Sequence, residues 1–303
     1  MTTCSPSAFI LVGPTASGKS SVVQCLAEQT GAPVVSADSM NIYRGMDIGT
    51  AKPSTKERGA VQYHGIDLAD PTDPFSVGDW LNAVKPAFFQ CSEKLGAGSA
   101  CPVVAGGTGL YVKCLLAGLD PMPVADEALR ERAEKMSLAE LQAEARAAAP
   151  EAYAALADNE NPRRLVRLME HGGAPRTQPK ELPSVIGLHV EREVLHKRIT
   201  ARVDKMYAAG LIEEARGLIG LELSSTAQKA IGYAEAFAVL RSEMTEAEAK
   251  ERTVIRTRQL AKRQMTWFRH QLNVEWIDAQ KFQGLEKLVA EVSNVWKKVP
   301  VNL

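Results

Sequence analysis

One segment near the start of the chain constrains its fold more than any other: residues 13–20 read GPTASGKS. A continuous apolar run at 8–12 precedes this segment, and apolar residues with helical spacing, among them Val22 and Leu26, follow it. A buried strand, a glycine-rich turn and a helix in this order give the pattern G-x-x-x-x-G-K-[ST] the context that it requires. The segment therefore predicts a phosphate-binding loop at the carboxyl end of a parallel strand.

The residue types of this loop explain how it would hold an anion. Glycines let the backbone wrap a phosphate closely, and successive amide N–H groups point inward beside a helix N-terminus. Lys19 supplies a cation, and the Ser20 hydroxyl can ligate a phosphate-bound Mg²⁺. We expect the diphosphate or nucleotide contacts from eight residues: Gly13, Pro14, Thr15, Ala16, Ser17, Gly18, Lys19 and Ser20.

The order of elements along the chain predicts the fold class. We expect further strands at 33–38, 101–105, 184–190 and 274–278, the last of these being the final strand. Helices are expected at 191–219, 226–240, 246–270 and 284–297. This order favours an α/β fold in which a parallel sheet is flanked by helices, as in P-loop NTPases.

The middle of the chain has a different composition. Between about 121 and 183 it is rich in alanine, glutamate and arginine and is punctuated by prolines, which predicts an all-helical insertion domain. We expect a discontinuous α/β core at 1–121 and 183–303 and the insertion at 122–182. Residues 175–180 are expected to form a mobile polar loop.

Composition limits the partners and the location. The 36 Lys and Arg residues balance the 36 Asp and Glu residues, which excludes a histone-like polycation but permits a local basic face. The five cysteines form no C-x-x-C pair and the five histidines show no metal-ligating spacing, which argues against zinc. Because no apolar run reaches the roughly 20 residues that cross a bilayer, and no signal-peptide pattern is present, we expect a cytoplasmic protein without a membrane partner. We also expect the protein to be monomeric.

Two polar positions follow predicted strands. Asp38 ends the strand after the loop helix, at the sheet edge where ligands of such folds bind. Taken alone, Asp38 is equally typical of a helix cap or a turn. The strand at 101–105 is followed by Gly106, Gly107 and Thr108, without the Mg²⁺-binding acid that hydrolytic nucleotidases usually carry at such a strand end.

Longer motifs extend over about residues 9–270. Residues 35–53 read VSADSMNIYRGMDIGTAKP, and other motifs are HGID at 64–67, GGTGLY at 106–111, NPRRLVR at 161–167, IGY at 231–233 and TRQLAKRQMTW at 257–267. Together these motifs resemble the bacterial tRNA dimethylallyltransferase (tRNA isopentenyltransferase) family. The phosphate loop is generic, whereas its combination with the 35–53 motif is highly specific.

The resemblance implies a prenyl transfer. The enzyme would move the dimethylallyl group from dimethylallyl diphosphate to the exocyclic amine of the adenosine immediately 3′ of the anticodon, in tRNAs reading codons that begin with U. Mg²⁺ is the implied cofactor, with Ser20 as its ligand. Lys19, Thr108 and Asp38 are the implied catalytic residues. Lys19 holds the leaving diphosphate, Thr108 positions the substrate near the bridging oxygen, and Asp38 accepts a proton from the amine.

The same resemblance implies contacts with the anticodon stem-loop of the tRNA, including contacts from the insertion at 122–182. Six basic residues and no acid lie between Arg252 and Arg269, and a second basic cluster lies in the insertion. Without the resemblance, both clusters are more typical of solvated helix faces paired with acids. The implied tRNA-binding residues are Asp38, Ser39, Met40, Asn41, Thr108, Arg130, Arg163, Arg164, Leu165, Val166, Arg167, Lys229, Arg258, Lys262 and Arg263.

Three other functions remain as alternatives. A small-molecule kinase would use the same loop to transfer the γ-phosphate of ATP, and a nucleotide-regulated RNA-binding module would need no catalytic group. A related class of enzyme prenylates free adenine nucleotides. One departure from the family pattern is Ala234, which stands where a basic residue commonly follows the Gly-Tyr pair.

Overall fold

The strand that leads into the phosphate loop lies inside a mixed sheet. The computed structural model describes residues 7–93, 101–119, 126–156, 158–172, 181–298 and 301–302. The strands are β1 (Ser7–Val12), β2 (Val34–Ser36), β3 (Tyr63–His64), β4 (Val103–Gly106), β5 (Val185–His189), β6 (Val274–Asp278) and β7 (Val301–Asn302). Their order is β3-β2-β4-β1-β5-β6, all parallel, and β7 pairs with β1 in the antiparallel sense.

Thirteen α-helices accompany the strands in the described residues. They are α1 (Lys19–Thr30), α2 (Thr55–Arg58), α3 (Val77–Glu93), α4 (Gly109–Ala117), α5 (Glu127–Glu134), α6 (Leu138–Ala148), α7 (Pro150–Ala154), α8 (Pro162–Glu170), α9 (Arg192–Ala208), α10 (Leu211–Arg216), α11 (Tyr233–Leu240), α12 (Glu246–Gln271) and α13 (Leu285–Lys298). None of these helices combines the length and apolar character needed to span a bilayer.

The predicted fold class is confirmed. Phe9, Leu11 and Val12 of β1 are fully buried, as expected of a strand covered on both faces. On one face the Phe9 ring meets the Trp296 ring of α13 edge to face, with centroids 4.8 Å apart. The predicted strands at 8–12, 33–38, 101–105, 184–190 and 274–278 correspond to β1, β2, β4, β5 and β6.

Two strands differ from the expectation. The segment at 274–278 is not the final strand, because β7 follows it and pairs Val301 with Ala8. The other unexpected strand, β3, joins the edge of the sheet beside β2. Each of these strands has two residues, which is too short for a hydrophobic period to be visible in the sequence.

Two predicted helices are interrupted by glycine. The expected helix at 191–219 ends at Ala208 and restarts at Leu211, because Gly210 between them adopts a φ of 98°. In the expected helix at 226–240, a 3₁₀ turn at Ala227–Lys229 is separated from α11 by Gly232, with a φ of 94°. Both φ values lie in the region that favours glycine.

The chain separates into two compact units. Unit 1 comprises Met1–Ala117 and Glu181–Leu303, and unit 2 comprises Gly118–Lys180. Unit 1 contains the sheet and its helices, and the described elements of unit 2 are the helices α5 to α8. Unit 2 packs around its own small apolar cluster, which includes Leu141, Ala145 and Leu165. The expected mobile loop at 175–180 lies outside the described residues.

Candidate active site

A cavity of about 480 Å³ opens in unit 1 where β1, β2 and β4 end. Its walls come from the phosphate loop, the ends of β2 and β4, the segment 50–53 and one face of α9. The carboxyl edge of a parallel sheet is the usual ligand position in this fold class. The sequence motifs and the topology therefore identify the same place.

The phosphate loop has the backbone geometry of an anion cradle. Gly13, Ala16 and Gly18 have φ values of 149°, 62° and 98°, and the Ser17 N–H donates to the Pro14 carbonyl at 3.2 Å. A Cβ at Gly13 would lie 2.8 Å from the Leu188 carbonyl oxygen, so a side chain there would displace the loop from β5. Together, these conformations curl the loop before α1 begins at Lys19.

Lys19 is the buried cation of the cavity. Its Nζ donates to the Pro14 carbonyl at 2.7 Å and to Ser17 Oγ at 3.5 Å. Burial lowers the pKa of Lys19 to about 7; the Asp38 carboxylate opposes this shift and the Arg202 guanidinium adds to it. A bound anion would offset the burial and hold the proton on Lys19.

Helix α9 contributes three further basic side chains to the wall: Arg198, Arg202 and Lys205. Arg198 Nη1 donates to the Ser17 carbonyl at 3.4 Å, and Arg202 Nη2 donates to the Thr50 carbonyl at 3.3 Å. Burial lowers the pKa of Arg202, and the Asp38 charge acts against that shift. These residues are not among the site residues predicted from the sequence, although their spacing of four and three places them on one helix face.

Asp38 lines the cavity directly after β2. Its Oδ1 accepts the Met40 N–H at 2.9 Å, so the carboxylate also stabilises the turn that follows the strand. The negative charge of Asp38 acts to raise the pKa of both Lys19 and Arg202, against the effect of burial. Asp38 is therefore a turn residue as well as a carboxylate facing the cations of the site. Asn41 lines the same cavity and donates to Ser36 Oγ at 3.3 Å.

Thr108 joins the segments that follow β2 and β4. Its Oγ1 accepts the Ser39 N–H at 3.0 Å and donates to Ser39 Oγ at 3.2 Å. These segments approach so closely that a Cβ at Gly106 would lie 2.0 Å from the Ala37 carbonyl oxygen. Ser39 and Thr108 thus bond to each other beside Asp38, while the cavity wall itself includes Gly106 and Gly107.

Gln264 of α12 connects the phosphate loop to the end of β4. Its Oε1 accepts the Thr15 N–H at 2.8 Å and its Nε2 donates to the Gly107 carbonyl at 3.1 Å. It lines the cavity with both of these residues. Sequence reasoning placed the segment 257–267 in a family motif but assigned Gln264 no role.

The donor set suits a magnesium ion held mainly by substrate phosphates. Within the described residues, no group of three or more His, Cys, Asp or Glu side chains could hold a metal. Ser20 is exposed at the start of α1 and lines the cavity that Lys19 and Asp38 share. Mg²⁺ commonly uses one or two protein oxygens together with phosphate and water oxygens, so this arrangement fits the ion.

The basic residues implied for RNA binding in unit 1 differ in their surroundings. Lys229, Lys262 and Arg263 are exposed. Arg258 is half-buried and donates to Thr200 Oγ1 at 3.1 Å. Arg256, from the same basic cluster, pairs with the Glu235 carboxylate of α11. The segment 252–269 contains no acid, but the fold brings a carboxylate from another helix to this part of the cluster.

Several of the residues of unit 2 that are implied for RNA binding form ion pairs or apolar contacts within that unit. Arg130 and Arg167 both pair with Glu170, at 2.7 and 3.1 Å, and Arg164 lies 3.7 Å from Asp158. The side chain of Leu165 is fully buried in the apolar cluster and that of Val166 packs against it, so the Leu165 side chain does not reach the surface. Arg163 is exposed.

Comparisons of the sequence identify a family. The sequence model described as IPP transferase matches residues 41–271, and the one described as isopentenyl transferase matches residues 6–62. The tRNA dimethylallyltransferase of Bacillus velezensis is 37% identical over 93% of this chain and 94% of its own length. That of Geobacillus kaustophilus is 39% identical over 94% of each.

Solved structures agree with this similarity. The tRNA isopentenylpyrophosphate transferase of Bacillus halodurans aligns with a TM-score of 0.71 and 35% identity over 97% of this chain and 96% of its own. A eukaryotic dimethylallyltransferase acting on tRNA, 19% identical, shares the fold with a TM-score of 0.78 over 98% of this chain and 81% of its own. The cavity with the phosphate-loop motif and the family motifs of the sequence thus occur in a chain that belongs to the IPP transferase family.

Proposed function

We propose that this protein is a tRNA dimethylallyltransferase. It transfers the dimethylallyl group of dimethylallyl diphosphate to the exocyclic amine of the adenosine 3′-adjacent to the anticodon, in tRNAs reading codons that begin with U, and it releases diphosphate. The observation that carries the proposal is the cavity in which a phosphate loop, Lys19 and three basic side chains of α9 face one carboxylate, Asp38. The similar tRNA dimethylallyltransferase and tRNA isopentenylpyrophosphate transferase supply the class of reaction.

The cations of the cavity stabilise the leaving group. Cleavage of an allylic C–O bond transfers negative charge to the diphosphate, and fixed donors in a water-poor site stabilise such charge strongly. The loop amides, Lys19 and Arg202 surround the position where that charge develops. The Ser20 hydroxyl would hold a bound Mg²⁺, and that ion would supply further charge neutralisation.

Asp38 acts on the acceptor. The lone pair of an adenine amine is delocalised into the ring, so the amine becomes a better nucleophile as a carboxylate takes up its proton. Asp38 is the carboxylate available beside the phosphate loop. Thr108 positions the substrate near the bridging oxygen, and its hydroxyl fixes the segment after Asp38 through Ser39.

The tRNA contacts follow from charge and exposure. Lys229, Lys262 and Arg263 present exposed cations that suit backbone phosphates. The target base leaves its stack to reach the cavity, as for other enzymes that act on a base atom. Asp38, Ser39, Met40, Asn41 and Thr108 then lie nearest to the base. Arg130, Arg163, Arg164 and Arg167 of unit 2 contact the anticodon stem-loop, and Leu165 and Val166 lie on the helix that carries three of these arginines.

A kinase function is disfavoured by the end of β4. In this structure β4 ends at Gly106, and Gly107 and Thr108 follow it without a carboxylate. Kinases with this type of loop usually hold their metal with such an acid. The location of the protein in the cytoplasm and its monomeric state stay predictions from the sequence.

The direct test incubates the purified protein and Mg²⁺ with unmodified tRNA and labelled dimethylallyl diphosphate. We expect label to enter tRNA, with none entering free adenosine monophosphate supplied at the same concentration. A parallel reaction contains γ-labelled ATP and small-molecule acceptors. Phosphorylation of a small molecule without prenylation of tRNA would establish the kinase alternative and refute the proposal.

A further inference from the structure

A carboxylate outside the cavity holds one of its walls. The Glu214 side chain, on α10, accepts the backbone N–H groups of Asp47 at 3.1 Å, Ile48 at 2.9 Å and Gly49 at 3.4 Å. These residues begin the segment 47–53, which we call the wall loop. Three successive amides on one charged acceptor fix both the position and the direction of this backbone.

A tyrosine completes the contact from the same side. Tyr233, the first residue of α11, is fully buried, donates its hydroxyl to Glu214 Oε1 and accepts the Gly49 N–H at 3.2 Å. Its ring lies against the glycine so closely that a Cβ at Gly49 would be 2.2 Å from Cε2. Burial and the Glu214 carboxylate raise the pKa of Tyr233, so the hydroxyl keeps its proton and remains a donor.

The wall loop connects the hydrogen bonds of Glu214 and Tyr233 to the candidate active site. Thr50, Ala51 and Pro53 line the cavity. The Thr50 carbonyl follows the three amides that bond to Glu214, and it accepts a hydrogen bond from Arg202 Nη2 at 3.3 Å. A partly buried guanidinium needs such acceptors to remain in one orientation, because each N–H left without a partner is costly.

We propose that Glu214 and Tyr233 are positioning residues for the diphosphate: together they set the Thr50 carbonyl, and through it the direction of the Arg202 guanidinium. The inference rests on the proposed function, and it deepens the description of the same site. Tyr233 belongs to the IGY motif and follows, by four residues, Lys229, which the resemblance implies is a tRNA-binding residue. Its side chain is buried and its hydroxyl is used by Glu214 and Gly49, so we assign it to the diphosphate rather than to the tRNA.

The test uses two conservative variants of the full-length protein. Tyr233→Phe removes only the hydroxyl, and Glu214→Gln replaces the charged acceptor with a neutral amide whose nitrogen accepts nothing. We expect the KM for dimethylallyl diphosphate and the Kd for inorganic pyrophosphate to rise about three- to tenfold in each variant, the loss typical of one weakened hydrogen bond. The KM for tRNA should stay within about twofold of the wild type, whereas kcat should also fall, because Arg202 faces the charge that develops on the leaving diphosphate.

Neighbouring residues offer matched controls. Glu213→Gln changes the adjacent carboxylate, which is exposed and pairs with Arg216 on its own helix. Tyr207→Phe removes a hydroxyl that bonds Thr253 instead of the wall loop. Both control variants should bind pyrophosphate like the wild type. A purely structural defect would lower the active fraction, and hence kcat, with both KM values unchanged.

The outcomes separate this inference from the proposed function. If the wild type binds pyrophosphate but prenylates no tRNA, the proposed function is wrong and the positioning role is judged on the pyrophosphate Kd alone. If Tyr233→Phe and Glu214→Gln bind pyrophosphate as tightly as the two controls, or if only their KM for tRNA rises, the positioning role is wrong. Should one variant fail to fold by circular dichroism, the other decides.

Discussion

At the scale of single residues, two ionisable groups in one small cavity determine the chemistry. Lys19 is buried with a depressed pKa, and Asp38 lies close enough to shift it. In the free protein, the Lys19 side chain is therefore only partly protonated near neutral pH. The proposed ligand of this site is a multiply charged anion. The dependence of the site on these two groups leads to two predictions.

Replacement of Asp38 tests its role as a base. We expect Asp38→Ala to lower the single-turnover rate by about 10² to 10⁴ while the Kd for tRNA changes little, because a general base contributes in that range. Asp38→Asn should lose as much, since its amide oxygen can still accept the Met40 N–H but cannot take up the proton. The control is Asp204→Ala, which removes an exposed carboxylate of α9. Near-normal rates in both Asp38 variants would remove this residue from the mechanism.

The lowered pKa of Lys19 predicts proton uptake on ligand binding. By pH 8 the Lys19 side chain of the free protein is mostly the neutral amine, and a bound diphosphate restores its proton, so the affinity for dimethylallyl diphosphate should fall as the pH rises from 7 to 9. At pH 8 the phosphates are already ionised, since their second pKa is about 6. Calorimetry in two buffers of different ionisation enthalpy should therefore show an uptake approaching one proton per dimethylallyl diphosphate.

Lys19→Arg is the control for this proton. Its guanidinium stays charged over the whole range, so any binding that it retains should involve no uptake. If the wild type takes up no proton at pH 8, Lys19 is already charged in the free protein and the assigned pKa is wrong.

At the scale of elements, the sequence predicts the strands, helices and loops that consecutive residues form. The apolar run at 8–12 is long enough to indicate β1, and the loop 13–20 and the strand end at Asp38 are contiguous motifs. Their side chains meet because parallel strands end at one edge of the sheet. The sequence could not indicate β3 or β7, which have two residues each.

The contacts that sequence reasoning missed are those between distant segments. Gln264 and Thr15 are 249 positions apart, and Arg202 and Thr50 are 152 apart. No spacing rule connects such pairs, because their proximity depends on how α9 and α12 pack on the sheet. The helical face carrying Arg198, Arg202 and Lys205 was visible in the sequence, but its orientation towards the phosphate loop was not.

The packing of α12 against α4 gives a prediction for stability. A Cβ at Gly109 would lie 2.0 Å from Cε3 of Trp267, so Gly109→Ala forces the indole to move. We expect the free energy of unfolding to fall by about 1–3 kcal/mol, as is usual for overpacking. Urea denaturation measures this difference.

Gly217→Ala is the matched control for that change. The added Cβ would meet the Glu214 carbonyl oxygen at an ordinary 3.4 Å, and the backbone is already helical with a φ of −65°. Its stability should equal or slightly exceed that of the wild type. Equal stabilities of Gly109→Ala and the wild type would show that α4 and α12 do not pack as described.

At the scale of the whole molecule, a chain with zero formal net charge binds a polyanion only through local clusters of cations. Lys262 and Arg263 form one such exposed pair on α12. If they contact tRNA phosphates, the affinity should fall steeply with salt. In the double variant Lys262→Gln, Arg263→Gln, the slope of log Kd against log salt concentration should then decrease by about 1 to 2.

Lys287→Gln serves as the control for the salt experiment. Lys287 is exposed on α13, outside every segment implied in RNA binding. Its variant should keep the slope of the wild type. A slope that is unchanged in the Lys262 and Arg263 double variant would place the RNA contacts elsewhere.

The central claim is that this cavity separates diphosphate from a five-carbon unit and delivers that unit to one adenosine of tRNA. The most direct measurement digests tRNA after reaction with dimethylallyl diphosphate and locates the added mass by mass spectrometry, while released diphosphate is counted in parallel. We predict one dimethylallyl group on the adenosine 3′-adjacent to the anticodon for each diphosphate released. Diphosphate release without a modified nucleoside, or modification only at another position, would contradict the account.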